Sequence, residues 1–120
     1  MDEGAPYEMR YDAHSRAEVR RELEALRADP SLKPDCGRLL RCLQDLADRG
    51  AAAETENIHL STTTPPLHAL LVGKLALFYA CGPWNGATAI FLLGFYRKGA
   101  HLQQVGTAAE RVNRCAFGRK

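Results

Sequence analysis

No aspartate or glutamate occurs between residues 57 and 109 of this 120-residue chain. Cations in that stretch, Lys74, Arg97 and Lys98 among them, have no acid of their own to neutralise them, which points to a surface that receives phosphates. Cysteine is sparse. Cys36, Cys42, Cys81 and Cys115 include no CxxC pair, and none lies at metal-ligand spacing from a histidine. That argues against a zinc module and a disulfide scaffold, and leaves reduced thiols acting as small buried apolar groups. Long apolar runs are missing too. A spanning helix needs about 20 apolar residues. The run 67–81 is broken by Lys74, and the run 87–96 is too short. The opening MDEGAPYEMR has neither the basic start nor the apolar stretch of a signal peptide. The expectation is a cytoplasmic protein with no membrane contact.

What is present fits one globular domain: 46% hydrophobic and 25% charged residues. The net charge of +2 hides an imbalance. Residues 1–60 carry −4 and residues 61–120 carry +6. Such asymmetry fits a polyanion-facing surface, or halves whose charges mix once the chain folds.

Residues 1–6 read as a flexible tail and 7–117 as a single domain. YEMRYD at 7–12 alternates Tyr7, Met9 and Tyr11 against charged residues, a strand with one buried face. Ser15-x-x-Glu18 has the spacing of a capping box, and Val19, Leu23 and Leu26 form the apolar stripe of a helix that Asp29-Pro30 ends. Pro34 suits the first turn of a second helix, whose stripe is Leu39, Leu40, Leu43 and Leu46, with Gly50 at its C-terminal cap. The two helices should form an antiparallel hairpin. Residues 51–66 read as a loop with a short extended piece at 58–60. Three apolar strands follow, turned by Val72-Gly73-Lys74 and by Gly82-Pro83-Trp84-Asn85-Gly86. A C-terminal helix with the stripe Leu102, Val105, Ala109 and Val112 leaves Arg111 and Arg114 on its exposed side. The order β-α-α-β-β-β-α predicts an α+β domain. Its four-stranded, mostly antiparallel sheet carries the N-terminal helical hairpin on one face, followed by the C-terminal helix, with the helices expected on the same face.

That order and the strand ending Gly94-Phe95-Tyr96-Arg97-Lys98 resemble the RelE/HigB superfamily of toxins from bacterial toxin–antitoxin pairs, in particular its phage-derived HigB-like branch. The matching segments are Leu67–Val72, Leu75–Tyr79, Gly94–Lys98 and the helix QVGTAAERVNR. The resemblance implies a ribosome-dependent endoribonuclease that cuts messenger RNA in the ribosomal decoding site and is neutralised by a cognate antitoxin. An alternative is a non-catalytic or weakened binding module of the same fold. The chain departs from the pattern at Ala76, where the family carries an arginine, and at STTTPP, where a basic loop is common.

Metal-independent cleavage by this route is attack of the ribose 2′-OH on the adjacent phosphorus. It needs cations for the developing phosphate charge and proton transfer at both oxygens, and no cofactor. The candidate catalytic residues are Lys98, Arg97, Tyr96 and His68. Candidate RNA contacts are Lys74, Tyr79, His101, Arg111 and Arg114. Each has a plainer reading: Arg97-Lys98 as a solubilising strand end, Tyr79 and Tyr96 as packing groups, Lys74 as a turn lysine, His68 and His101 as surface or capping residues.

Overall fold

A computed structural model describes residues 8–11, 15–49, 57–59, 67–84 and 87–114. The expected cap at Gly50, the turn pair Asn85-Gly86 and the ends of the chain lie outside them. Strand β1 (Glu8–Tyr11) is followed by helix α1 (Arg16–Arg27), a 3-10 helix at Pro30–Leu32 and helix α2 (Lys33–Arg49). Strands β2 (Asn57–His59), β3 (His68–Val72), β4 (Leu75–Trp84) and β5 (Ala87–Arg97) come next. A 3-10 helix at Ala100–Gln104 leads into helix α3 (Val105–Arg114). The α+β class and the order of helices and main strands are as expected.

The sheet is mixed and five-stranded, in the order β1-β5-β4-β3-β2. The extended piece in the loop becomes edge strand β2, antiparallel to β3. β3, β4 and β5 form an antiparallel meander, with a bulge at Phe78/Tyr79. β1 pairs parallel to β5, Glu8 with Ala89 through Tyr11 with Leu92. The expected mostly antiparallel sheet is mixed at this pair, because α1, α2 and the meander intervene between the two strands, as parallel neighbours require. Gly82-Pro83-Trp84 belongs to β4 rather than to a turn, and Pro83 pairs with Thr88.

Helices cover both faces, which corrects the one-face arrangement. Val19, Leu23, Leu26, Leu39, Leu43 and Leu46 pack against Leu70, Leu75, Leu77, Tyr79, Ile90, Leu92 and Phe95. On the opposite face Ala108 and Val112 of α3 pack with Ala69, Phe78, Ala80, Phe91 and Leu93. Strand residues alternate between the two cores, so a sheet this apolar has no face left for water. Phe78, Phe91 and Phe95 are fully buried, each worth about 2 kcal/mol relative to exposure. Three local expectations change. Ser15 occupies the N-cap of α1, but its side chain caps nothing. Met9 is exposed, because β1 is an edge strand. Leu102 is 63% exposed, and α3 buries Ala108, Arg111 and Val112 instead. Leu102 lies in the 3-10 helix, whose tighter winding shifts the phase of the stripe before α3 begins.

β1 covers only the first half of the outer edge of β5. Beyond Leu92 the edge is closed by side chains. The Glu22 carboxylate, from α1, accepts the Phe95 N–H at 3.3 Å and the Tyr96 hydroxyl at 2.9 Å. Arg111, from α3, donates to the Leu93 carbonyl at 2.8 Å and grips Glu22 with both guanidinium arms at 3.2 and 3.0 Å. Arg111 is therefore buried, against the expectation of an exposed cation. Burial alone would push the guanidinium down, but Glu22 more than offsets this and holds it above its usual value. The missing Cβ of Gly94 makes room for the Tyr96 ring, because a carbon there would lie 2.6 Å from it.

Replacing Arg111 with Met should strand the Glu22 charge and the Leu93 carbonyl. We expect a cost of about 3 kcal/mol, at the low end for a broken pair because Glu22 remains 23% exposed. Calorimetry should show a melting point roughly 10 °C lower. Combination with Glu22→Gln should be less than additive. A melting point equal to the parent's refutes the edge closure.

Candidate nucleic-acid interface

The end of the sheet where β3 turns into β4 and β5 stops is also the end where α1 gives way to α2. Both connections are short, so their cations converge. Gly73 adopts φ +57, the left-handed conformation that a two-residue turn asks of glycine. Lys74 follows it in the turn. Across β4 the Lys98 N–H donates to the Lys74 carbonyl at 2.7 Å, so the two lysines sit side by side, both exposed. Neither has an ion-pair partner among the described residues.

Arg97 lies one residue away on the α1–α2 face, where its guanidinium meets Asp29 at 2.5 Å. Asp29 also accepts from Ser31 Oγ at 2.7 Å and from its backbone N–H at 2.9 Å. The Ser31 hydroxyl, followed by Arg97, draws the Asp29 carboxyl down to about 2. Asp35, buried in the first turn of α2, pairs with Arg38 and accepts the Lys74 N–H at 3.4 Å. The Arg38 bond holds its carboxyl below the usual range against the opposing effect of burial. Arg27 and Lys33 line a depression of about 330 Å³ beside Cys36, Gly37 and Leu40. Six cations, Arg27, Lys33, Arg38, Lys74, Arg97 and Lys98, thus gather at this end against two carboxylates, Asp29 and Asp35.

The other candidates are distributed elsewhere. His68 pairs with Tyr79 and stacks on it at 5.3 Å. Tyr79 stands four residues along β4 from Leu75, the partner of Arg97, about 14 Å away at strand spacing. Tyr79 itself is a buried core residue. The Tyr96 hydroxyl is turned to Glu22, and burial, then that bond, pushes its pKa up to about 12. His101 is buried, with Nδ1 accepting the Gly99 N–H at 3.0 Å and its ring 5.8 Å from Phe78. Burial lowers its pKa, so the ring is neutral at physiological pH. Arg114 is exposed and paired with Glu110 one turn back, an interaction of little strength. Ala76 is buried opposite Tyr96. Burial raises the Cys36 thiol, and raises Cys81 to about 11, so neither supplies a thiolate.

Arg97 and Lys98 are thus joined by Lys74, whereas Tyr96 and His68 stand apart from them. Sequence reading missed Asp29, Asp35, Arg27, Lys33 and Arg38. Asp29-Pro30 and Pro34 did mark the helix ends that bring these residues here. What the arrangement can do is bind phosphates: flexible lysines and forked arginines tolerate many backbone geometries. Among the described residues no three His, Cys, Asp or Glu side chains converge on a metal site, and no helix is long and apolar enough to cross a membrane. No protein-family model, curated protein or solved structure matches the chain.

The Asp29 carboxylate, bonded first to Ser31 and then to Arg97, has a defined pH signature. A carboxyl lowered from its usual 3.8 to about 2 contributes stability that is full above 3.8 and is lost as pH falls towards 2. Thermal unfolding of the parent and of Asp29→Asn should therefore differ at neutrality and converge by about pH 2. An offset unchanged by acid contradicts the assignment.

Proposed function

We propose that this chain is the toxin component of a toxin–antitoxin pair, a cytoplasmic protein that inhibits translation by engaging messenger RNA in the ribosomal decoding site. The observation that carries the reading is the direct bond between the Lys98 N–H and the Lys74 carbonyl. It gathers two ammonium groups that have no ion-pair partner among the described residues at the end of an otherwise apolar sheet. Arg97, restrained by Asp29, and the pair Arg27 and Lys33 extend the positive surface. In this reading Lys98 and Lys74 contact the non-bridging oxygens of the scissile phosphate. The 2′-OH attacks the phosphorus without a metal as the P–O5′ bond breaks, leaving a 2′,3′-cyclic phosphate and a 5′-OH, with water taking the 2′ proton and protonating the leaving oxygen. The cations stabilise the charge that develops on the phosphate oxygens. A cognate antitoxin covers this surface when the toxin is silent.

A second reading, an RNA-binding module of the same fold that does not cleave, has its own support. Among the described residues no exposed imidazole stands at the basic end: His101 lies beside Lys98 but is enclosed, His68 lies at the far end of β3, and the Tyr96 hydroxyl is committed to Glu22.

Inducible expression separates the two. The cleaving toxin should arrest growth and leave cut messages on ribosomes, with Lys98→Ala and Lys74→Ala each lowering the cleavage rate by about a hundredfold. The binding module should bind RNA with equal dependence on both lysines and leave messages whole. Unchanged arrest in both variants removes the site assignment. A parent protein that neither arrests growth nor binds RNA removes the reading.

A further inference from the structure

Lys74 and Lys98 are tied to each other, and Lys74 is also tied to α2. Asp35 is buried although it is charged, and it sits where the β3–β4 turn passes closest to the helix. One carboxylate oxygen takes Arg38 and the other takes the Lys74 N–H. Gly73 fits the gap: a Cβ there would lie 2.5 Å from Asp35 Oδ1 and 2.8 Å from the Arg38 guanidinium. The Lys74 peptide is therefore held from both sides, its N–H by Asp35 and its carbonyl by the Lys98 N–H. A two-residue turn free of that hold would let the Lys74 stem swing away from Lys98.

We propose that Asp35 is a positioning residue for RNA: an acid that strengthens the binding of a polyanion by holding Lys74 beside Lys98, so that both contact phosphates of one single-stranded segment. The proposal rests on the reading of this end as an RNA-binding surface. It carries an unusual sign. By charge alone, removing an acid beside a cluster of cations tightens the binding of RNA. By positioning, removing Asp35 weakens it, although the cluster becomes more positive and Arg38 is released.

The test is titration of labelled oligouridylate by the full chain over a range of salt concentrations, followed by fluorescence anisotropy. Asp35→Ala should bind about three- to tenfold more weakly at low salt, with the slope of log affinity against log salt shallower by about 0.7, the share of one lost phosphate contact on a single strand. Asp35→Asn has the same charge as the alanine variant but keeps an acceptor for the Lys74 N–H, so it should recover part of the loss. Gly73→Ala changes no charge and pushes against the carboxylate, so it should reproduce the loss. Combined with Asp35→Ala, it should add little more. Thermal unfolding of each variant identifies any that fails to fold, and Gly73→Ala carries the test if Asp35→Ala does. Binding by Asp35→Ala as tight as the parent's or tighter overturns the positioning role and leaves the RNA reading standing, as does parent-like binding by Gly73→Ala. A parent that does not bind oligouridylate overturns both.

Discussion

The fold depends on how the outer edge of β5 is closed. A strand edge with free N–H and C=O groups invites pairing with another chain. β1 is too short to cover this one, and the Glu22–Arg111 pair stands in for the missing backbone. The carboxylate accepts where a neighbouring carbonyl would, and the guanidinium donates where a neighbouring N–H would. Because α1 and α3 lie on opposite faces of the sheet, the same pair clamps the two helices across its rim. Buried ion pairs are often poor stabilisers, since desolvation offsets attraction. This one also satisfies two backbone groups, which an apolar substitute could not.

The charge imbalance along the chain acquires a structural meaning here. The second half, with Glu110 as its single acid, does not keep all its cations for a ligand. The acidic first half returns three carboxylates to it: Glu22 to Tyr96 and Arg111, Asp29 to Arg97, and Asp35 to the Lys74 peptide. Charge complementarity between the halves thus docks the helices on the sheet. The expected mixing of charges between the halves is therefore seen at these contacts. Among the described residues of the second half, the cations left without an ion pair are Lys74 and Lys98.

The residues that act through near neighbours were legible in the sequence. Asp29-Pro30, Pro34 and Gly73 punctuate elements whose boundaries depend on local backbone preferences, and the unbroken apolar run from Leu75 to Phe78 marks a buried strand. The parallel partner of β1 was not legible, because nothing in a four-residue strand encodes a neighbour some eighty positions on. Glu22 and Arg111 look like any solvated helix charges. Their burial follows from where α1 and α3 cross the edge of β5, a relation that no periodicity records. At the basic end, Lys98 and Arg97 stood out as a strand terminus and Lys74 as a turn. That Arg97 points to the helices and Lys98 to the turn depends on strand parity after the bulge at Phe78/Tyr79. His101 and Tyr96 were ambiguous, because a titratable side chain beside a cation looks the same in sequence whether it is open or enclosed.

The edge closure has a consequence in time. Its two charged partners are separated by 89 positions, so during synthesis Glu22 is in place long before Arg111 leaves the ribosome. Through that interval the meander can form with half of the β5 rim bare. A nascent chain with β5 outside the ribosome and Arg111 still inside it offers an adhesive ribbon to its neighbours on the same message. The arrival of α3 is therefore the step that removes this edge from reach of other chains.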